Sequence, residues 1–310
     1  MKSSIGIDEN AVVSSKSLNN SKKMLKNMKG RTPVFTYLVL GFWTLVCVFP
    51  LYWMFTFSLK SNSEIFGENV LGLPKEWLWS NYSDALNVGS SGDSFWQSGM
   101  VRYFKNSGIV TVLTIAVTIV CALMACYALT RMKWKGRNTV NNIFMLGLTI
   151  PIHAALLPVF LMLKTFNMTN SYQALVIPYS AFALAMAIMI FGSFMVNIPE
   201  ELEESACLDG CGTFGIFFKI ILPLMRPAVS TVAIFTFLQA WNELMFATIF
   251  NSGSQYKTLP VGINEFFGSY TTKWGPIGAA LVIATFPTLL VYAFISKKIQ
   301  DSLIAGAIKG

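Results

Sequence analysis

Ile198-Pro199-Glu200-Glu201-Leu202-Glu203-Glu204-Ser205-Ala206-Cys207-Leu208-Asp209-Gly210 is the most acidic interruption in the apolar C-terminal half of this 310-residue chain. Pro199 suits the first turn of a helix, where its missing N–H leaves no bond unmade. The four glutamates follow near that N-terminus, where negative charge complements the helix macrodipole. Leu202, Ala206 and Asp209 share one helical face; Glu201, Glu204 and Leu208 share a neighbouring one. Gly210-Cys211-Gly212 breaks the helix, and Thr213 is placed to cap a second, apolar helix that Pro223 and Pro227 interrupt. The expectation for residues 198–227 is a short acidic helix, a glycine bend and an apolar return.

Composition sets the class around that stretch. The chain is 54% apolar and only 12% charged, against about 25% charged for a soluble domain. This marks an integral membrane protein. The net charge of +8 could suggest nucleic acid, but most basic residues stand beside apolar runs, which is how topology is written in membrane proteins. Residues 1–31 are polar and basic and lack the apolar content for a core, so a disordered segment is expected there. The uncharged run that follows is too long for a signal peptide and reads as a retained first span.

Six all-α spans are expected, over 32–59, 106–130, 138–163, 174–196, 228–250 and 276–296, with a tail over 297–310. Pro50 should kink or end the first, and Pro151 and Pro158 should break the third. With the N-terminus inside, the inner segments hold 16 of the 23 Lys and Arg residues. Both termini and the acidic loop are therefore expected in the cytoplasm. Between the first two spans, Trp77, Trp79, Tyr82, Trp96 and Tyr103 suit either a membrane interface or a surface that meets an external partner.

No catalytic constellation is visible. There is no Gly-x-x-x-x-Gly-Lys-Ser/Thr loop for ATP. His153 stands alone, and Cys207 and Cys211 lack the further His or Cys of a metal site, so neither cofactor nor metal is expected. Glu243 is the charge that falls inside a span, where a carboxyl group must face protein or water. At helical spacing it shares a polar face with Gln239 and Asn242, beside Trp241. It could bond to another span, or help wall a pathway for hydroxyl-rich solutes with Trp241 offering a stacking face.

The spacing within the acidic loop carries a resemblance. Glu204-Ser205-Ala206, three residues, Gly210, nine residues and Ile220-x-Leu222-Pro223 resemble the EAA loop of ABC-importer permeases, with Ser205 in place of an alanine. Phe49-Pro50-Leu51-Tyr52-Trp53-Met54, Asn106-Ser107, Trp241-Asn242-Glu243, Thr258-Leu259-Pro260-Val261-Gly262 and the ending from Ala305 to Gly310 are similar to the MalG-like permeases of carbohydrate importers. The resemblance implies a MetI-like fold and a type I importer subunit. Its partners would be a second related permease, two cytoplasmic ATPases and an extracytoplasmic binding protein. Glu204, Ser205, Ala206, Asp209, Gly210, Ile220, Leu222 and Pro223 would couple to an ATPase: Glu204 to a basic group, Ala206 by permitting close approach, Leu222 and Pro223 by anchoring the return. The alternatives are a non-sugar solute, or a secondary transporter without an ATPase. The latter would need a relay of charged residues within the spans.

Overall fold

In lipid every backbone polar group needs an internal partner, so long uncharged runs become helices. The computed structural model describes residues 34–67, 69–88, 98–264, 266–267 and 272–307. The expected disordered segment 1–31, Trp96 and the last three residues lie outside these. The chain divides into two units, 1–54 and 55–310. The first helix, α1 (Val34–Ser58), contains Pro50, which does not end it.

In the second unit the last turn of α1 leads to α2 (Asn62–Ile65) and α3 (Ser80–Asn87). The junction is tied by polar side chains. Asn81 Nδ2 donates to the carbonyls of Ser58 and Lys60, at 2.9 and 3.1 Å. Lys60 is buried and donates to the carbonyls of Asn69 and Val70. Burial pulls its ammonium pKa below the usual lysine value, and neighbouring Glu64 partly offsets this.

Then follow α4 (Gly99–Thr130), α5 (Arg137–Leu146), two short 3-10 turns, α6 (Leu156–Thr165) and α7 (Gln173–Met195). The acidic helix is α8 (Glu201–Leu208). The return is α9 (Thr213–Ile216), a π-helical stretch Phe217–Ile221, α10 (Leu222–Leu224) and α11 (Arg226–Trp241). The chain ends with α12 (Met245–Phe250), α13 (Leu259–Asn264) and α14 (Trp274–Ala307). Among the described residues every element is helical.

Four helices, α1, α4, α7 and α14, are long and apolar enough to cross a membrane, and two bent pairs bring the number to six if each counts as one span. The helices outrun the uncharged runs. α4 starts seven residues before 106 and carries Arg102 and Lys105 in its first turns, and α14 continues beyond 296 to Ala307. Charge marks where lipid ends, whereas a helix ends only where its backbone bonding does.

The stretch expected as the third span bends by 98° between Gly147–Thr149 and Ile152–Ala155, at Pro151. Pro158 breaks nothing, because it sits in the first turn of α6, where a missing N–H is harmless. The run 228–250 is not one helix either: α11 stops at Trp241, and α12 starts at Met245.

Three buried clusters hold the second unit. One joins Leu123 and Cys126 of α4, Ile188 and Phe191 of α7, Ala206 of α8, Phe217 and Ile221 of the return and Ala228 of α11. The second gathers Tyr179 of α7 with Phe246 and Phe250 of α12. The third sets Trp241 against Tyr103, Ile277 and Ala280. Small residues on the facing helices, Ala122, Ala187 and Ala228, all essentially inaccessible, permit close backbone approach.

Candidate functional site

The end of α8 is built by glycine. Cys211 N–H donates to the carbonyl of Ala206 at 2.9 Å, and Gly210 N–H donates to that of Cys207 at 3.0 Å. This is the Schellman pair, which needs a left-handed residue between. Gly210 supplies it at φ +80°. A Cβ there would meet nothing within 4 Å, so the constraint is backbone conformation rather than space. Thr213 does not cap the return: it is the first residue of α9, and the N-cap is Gly212, which has no side chain to offer.

The four glutamates face different ways. Glu201 and Glu204 are exposed, with Ser205 bonded back to the Glu201 carbonyl. Ala206 points inward, buried in the cluster with Ile216 and Phe217. The close approach it permits is therefore between α8 and its own chain, not an outside surface. What α8 presents outward is Glu201, Glu204, Leu208 and Asp209, and Leu208 is 91% exposed. Phe214, just past the bend, is 76% exposed.

Glu200 and Glu203 are held from the end of α4, a set of partners that the sequence did not reveal. Arg131 Nη1 donates to Glu200 Oε1 at 3.0 Å. Its Nε lies 2.9 Å from Glu203 Oε1, an ion pair with both side chains largely buried. Its Nη2 donates to the carbonyls of Met195, at 2.9 Å, and Ile198. Tyr127, one turn earlier on α4, donates to Glu203 Oε2 at 3.1 Å. A guanidinium fits such a cluster because its donors are fixed in a planar fork. Breaking a buried pair by removing one partner costs about 3–5 kcal/mol in soluble proteins. The available signal was the basic turn at Arg131 and an acidic loop expected on the same side.

Of the motif's far end, Ile220 and Leu222 are half-buried and Pro223 is exposed. The anchors of the return are instead Ile221, Met225 and Ala228, all fully buried. Pro223 has no N–H to give Lys219, so the α ladder cannot close. Leu222 N–H reaches back to Phe217 instead, as a π turn. Beyond Met225 the axis turns by 73° into α11.

At the break after α11, Glu243 is half-buried. It accepts from the amides of Phe246, at 2.9 Å, and Ala247, at 3.1 Å, capping α12, and also from the hydroxyl of Tyr179 on α7. The polar helical face expected for Gln239, Asn242 and Glu243 does not form, because the helix has ended. Gln239 is half-buried, and Asn242 is exposed and bonds back to the Leu238 carbonyl. Trp241 is 5% exposed, its indole N–H on the Ala284 carbonyl and its ring against Phe104 and Phe237. Its face is therefore taken and not open to a solute. His153, at the bend of the third span, lies against Phe246.

Two of the family-like tracts meet. Asn106 Nδ2 donates to the carbonyls of Gln255 and Lys257, both at 2.9 Å, and Ser107 Oγ accepts from Leu259 N–H at 2.8 Å. Gly262 lies so close to Tyr103 that a Cβ would come within 2.0 Å of its ring.

Residues 115–304 match the family described as binding-protein-dependent transport system inner membrane component. The chain is 33% identical to the probable ABC transporter permease protein YurM of Bacillus subtilis, over 91% of this chain and 89% of that one. It is equally identical to the trehalose/maltose transport system permease protein MalG of Thermococcus litoralis, over 86% and 93%. The fold is similar to a chain in the crystal structure of a bacterial ABC transporter involved in alginate import, with a TM-score of 0.73 at 20% identity, covering 85% of this chain and 95% of that one. With the acidic loop, the bent helix pairs and this similarity together, the chain belongs to the inner membrane components of binding-protein-dependent transport systems, among the MalG-like permeases.

Proposed function

We propose that this chain forms half of the translocation pathway of an ATP-driven carbohydrate importer in a prokaryotic plasma membrane. It is a transport subunit, and ATP is hydrolysed on its partners. The family's description supports delivery of solute by a binding protein. Carbohydrate is supported by the name of the Thermococcus relative, a trehalose/maltose permease. A second related permease would complete the pathway, and two cytoplasmic ATPases would drive it.

The observation that carries the reading is the outer face of α8. A large apolar side chain exposed at the end of an acidic helix has no role in this chain's own packing. Leu208 suits a hydrophobic groove on an ATPase, and Glu201, Glu204 and Asp209 suit basic groups at its rim. Ser205, beside Glu204, keeps the helix slim at that contact. With α8 in the cytoplasm, the excess of Lys and Arg falls on the same side. The exposed Asn242 amide and half-buried Gln239 and Glu243, at broken backbone where transporters place their sites, are the groups we assign to the pathway wall.

Purification of the tagged chain from its native membrane tests this. ATPase subunits should co-purify with the wild type and be lost from Leu208→Asp and from Glu204→Arg, with both variants still in the membrane. Equal recovery of ATPases in both variants would count against docking through α8.

A further inference from the structure

We infer that Arg131 is the joint that makes α8 move with α4, so that force applied to the acidic helix reaches a membrane-spanning rod directly and not through its flanking loops. This rests on the reading of α8 as a docking helix. An eight-residue helix is marginal by itself. It is connected to the chain through the non-helical residues 196–200 on one side and the left-handed Gly210 on the other. Links of that kind would bend before they transmitted a load.

Arg131 bypasses them. One guanidinium holds the carbonyl of Met195 at the end of α7, the carbonyl of Ile198 in the linker, Glu200 at the N-cap of α8 and Glu203 in its first turn. Tyr127 adds a second bond from α4 to Glu203. Arg131 is the C-cap residue of α4, its own N–H bonded to the Tyr127 carbonyl. The clamp therefore stands on the helix itself. The division among the glutamates follows: Glu203 faces inward to be gripped, and Glu201 and Glu204 face outward to meet a partner. A lysine would keep the charge but lack the planar fork that reaches several acceptors at once.

The experiment uses the whole importer complex in lipid nanodiscs, with the chain's other cysteines replaced and spin labels at the native Cys207 on α8 and at Val120 on α4. Both positions are exposed, and neither is on the docking face. In the otherwise wild-type complex the label separation should be the same without nucleotide and with ATP–vanadate. In Arg131→Gln it should change or broaden on ATP–vanadate, and stimulation of ATP hydrolysis by the binding protein should be lost while the ATPases stay bound. Arg131→Lys should restore only part of either. Should Arg131→Gln fail to assemble, Glu203→Gln takes its place, with the same expectation at smaller amplitude.

A separation that changes with ATP in the wild type overturns the joint. So does Arg131→Gln behaving as wild type, or failing only by shedding its ATPases, which would make the residue a support for α8 and no transmitter. Absence of ATPases from the wild-type complex would instead strike the docking reading itself.

Discussion

Gly210 and Glu243 each hold a helix end in place, one by backbone freedom and the other by charge. At Gly210 any L side chain has open space but a disfavoured φ. Gly210→Ala should cost about 1–2 kcal/mol of local stability, and Gly210→Asn less, because asparagine tolerates the left-handed region. Uptake and ATPase retention should fall in the order glycine, asparagine, alanine. Glu243 caps α12 and meets Tyr179. Losing such a cap costs about 0.5–2 kcal/mol. We expect Glu243→Ala to slow transport or alter its solute range with ATPases still bound, and Glu243→Gln, which keeps an acceptor, to fall between. Equal transport of every tested sugar by all three proteins would leave Glu243 a packing group. An acid within a span was legible in the sequence. Tyr179 was not, since 64 residues separate the two and only the packing of α12 on α7 brings them together.

Spans and helices are different things, and the sequence displays the first more plainly. Uncharged runs point to the long apolar helices, but α4 and α14 continue past charged residues and α11 stops within an apolar run. The acidic helix was readable almost to the residue, because its stop signal is local: a single glycine in a fixed hydrogen-bond pattern. The π stretch was hidden, because Pro223 announces a broken ladder but not whether the helix will end, kink or widen. It widens because Ile221, Met225 and Ala228 are all buried in one cluster. Pro223→Ala would return an N–H for the Lys219 carbonyl and let the stretch tighten to α. That would rotate α8 relative to α11. ATP-coupled uptake should fall severalfold while the protein stays in the membrane. A variant with unaltered uptake would show that the register of the return is free to vary.

For the molecule as a whole, sidedness is the property to measure. Cys207 on α8 is exposed, whereas Cys126 is buried. A membrane-impermeant maleimide should label Cys207 in inverted vesicles and spare it in intact cells. The opposite result would put α8 outside and leave it without a cytoplasmic motor to meet.

α4 has a dimension that bears on this. Its 32 residues make a rod of about 48 Å at 1.5 Å per residue, against about 30 Å of hydrocarbon. It is longer than the bilayer's apolar core is thick. One tip grips the acidic helix through Arg131, and near the other Asn106 is latched to the backbone around Lys257. With α8 in the cytoplasm as proposed, this single stiff strut would sample both aqueous compartments, and arrival of a loaded carrier outside and of nucleotide inside would register on the same piece of scaffolding. Loosening the far latch with Asn106→Ala should accordingly be felt on the opposite face, as a weaker response of ATP turnover to the carrier.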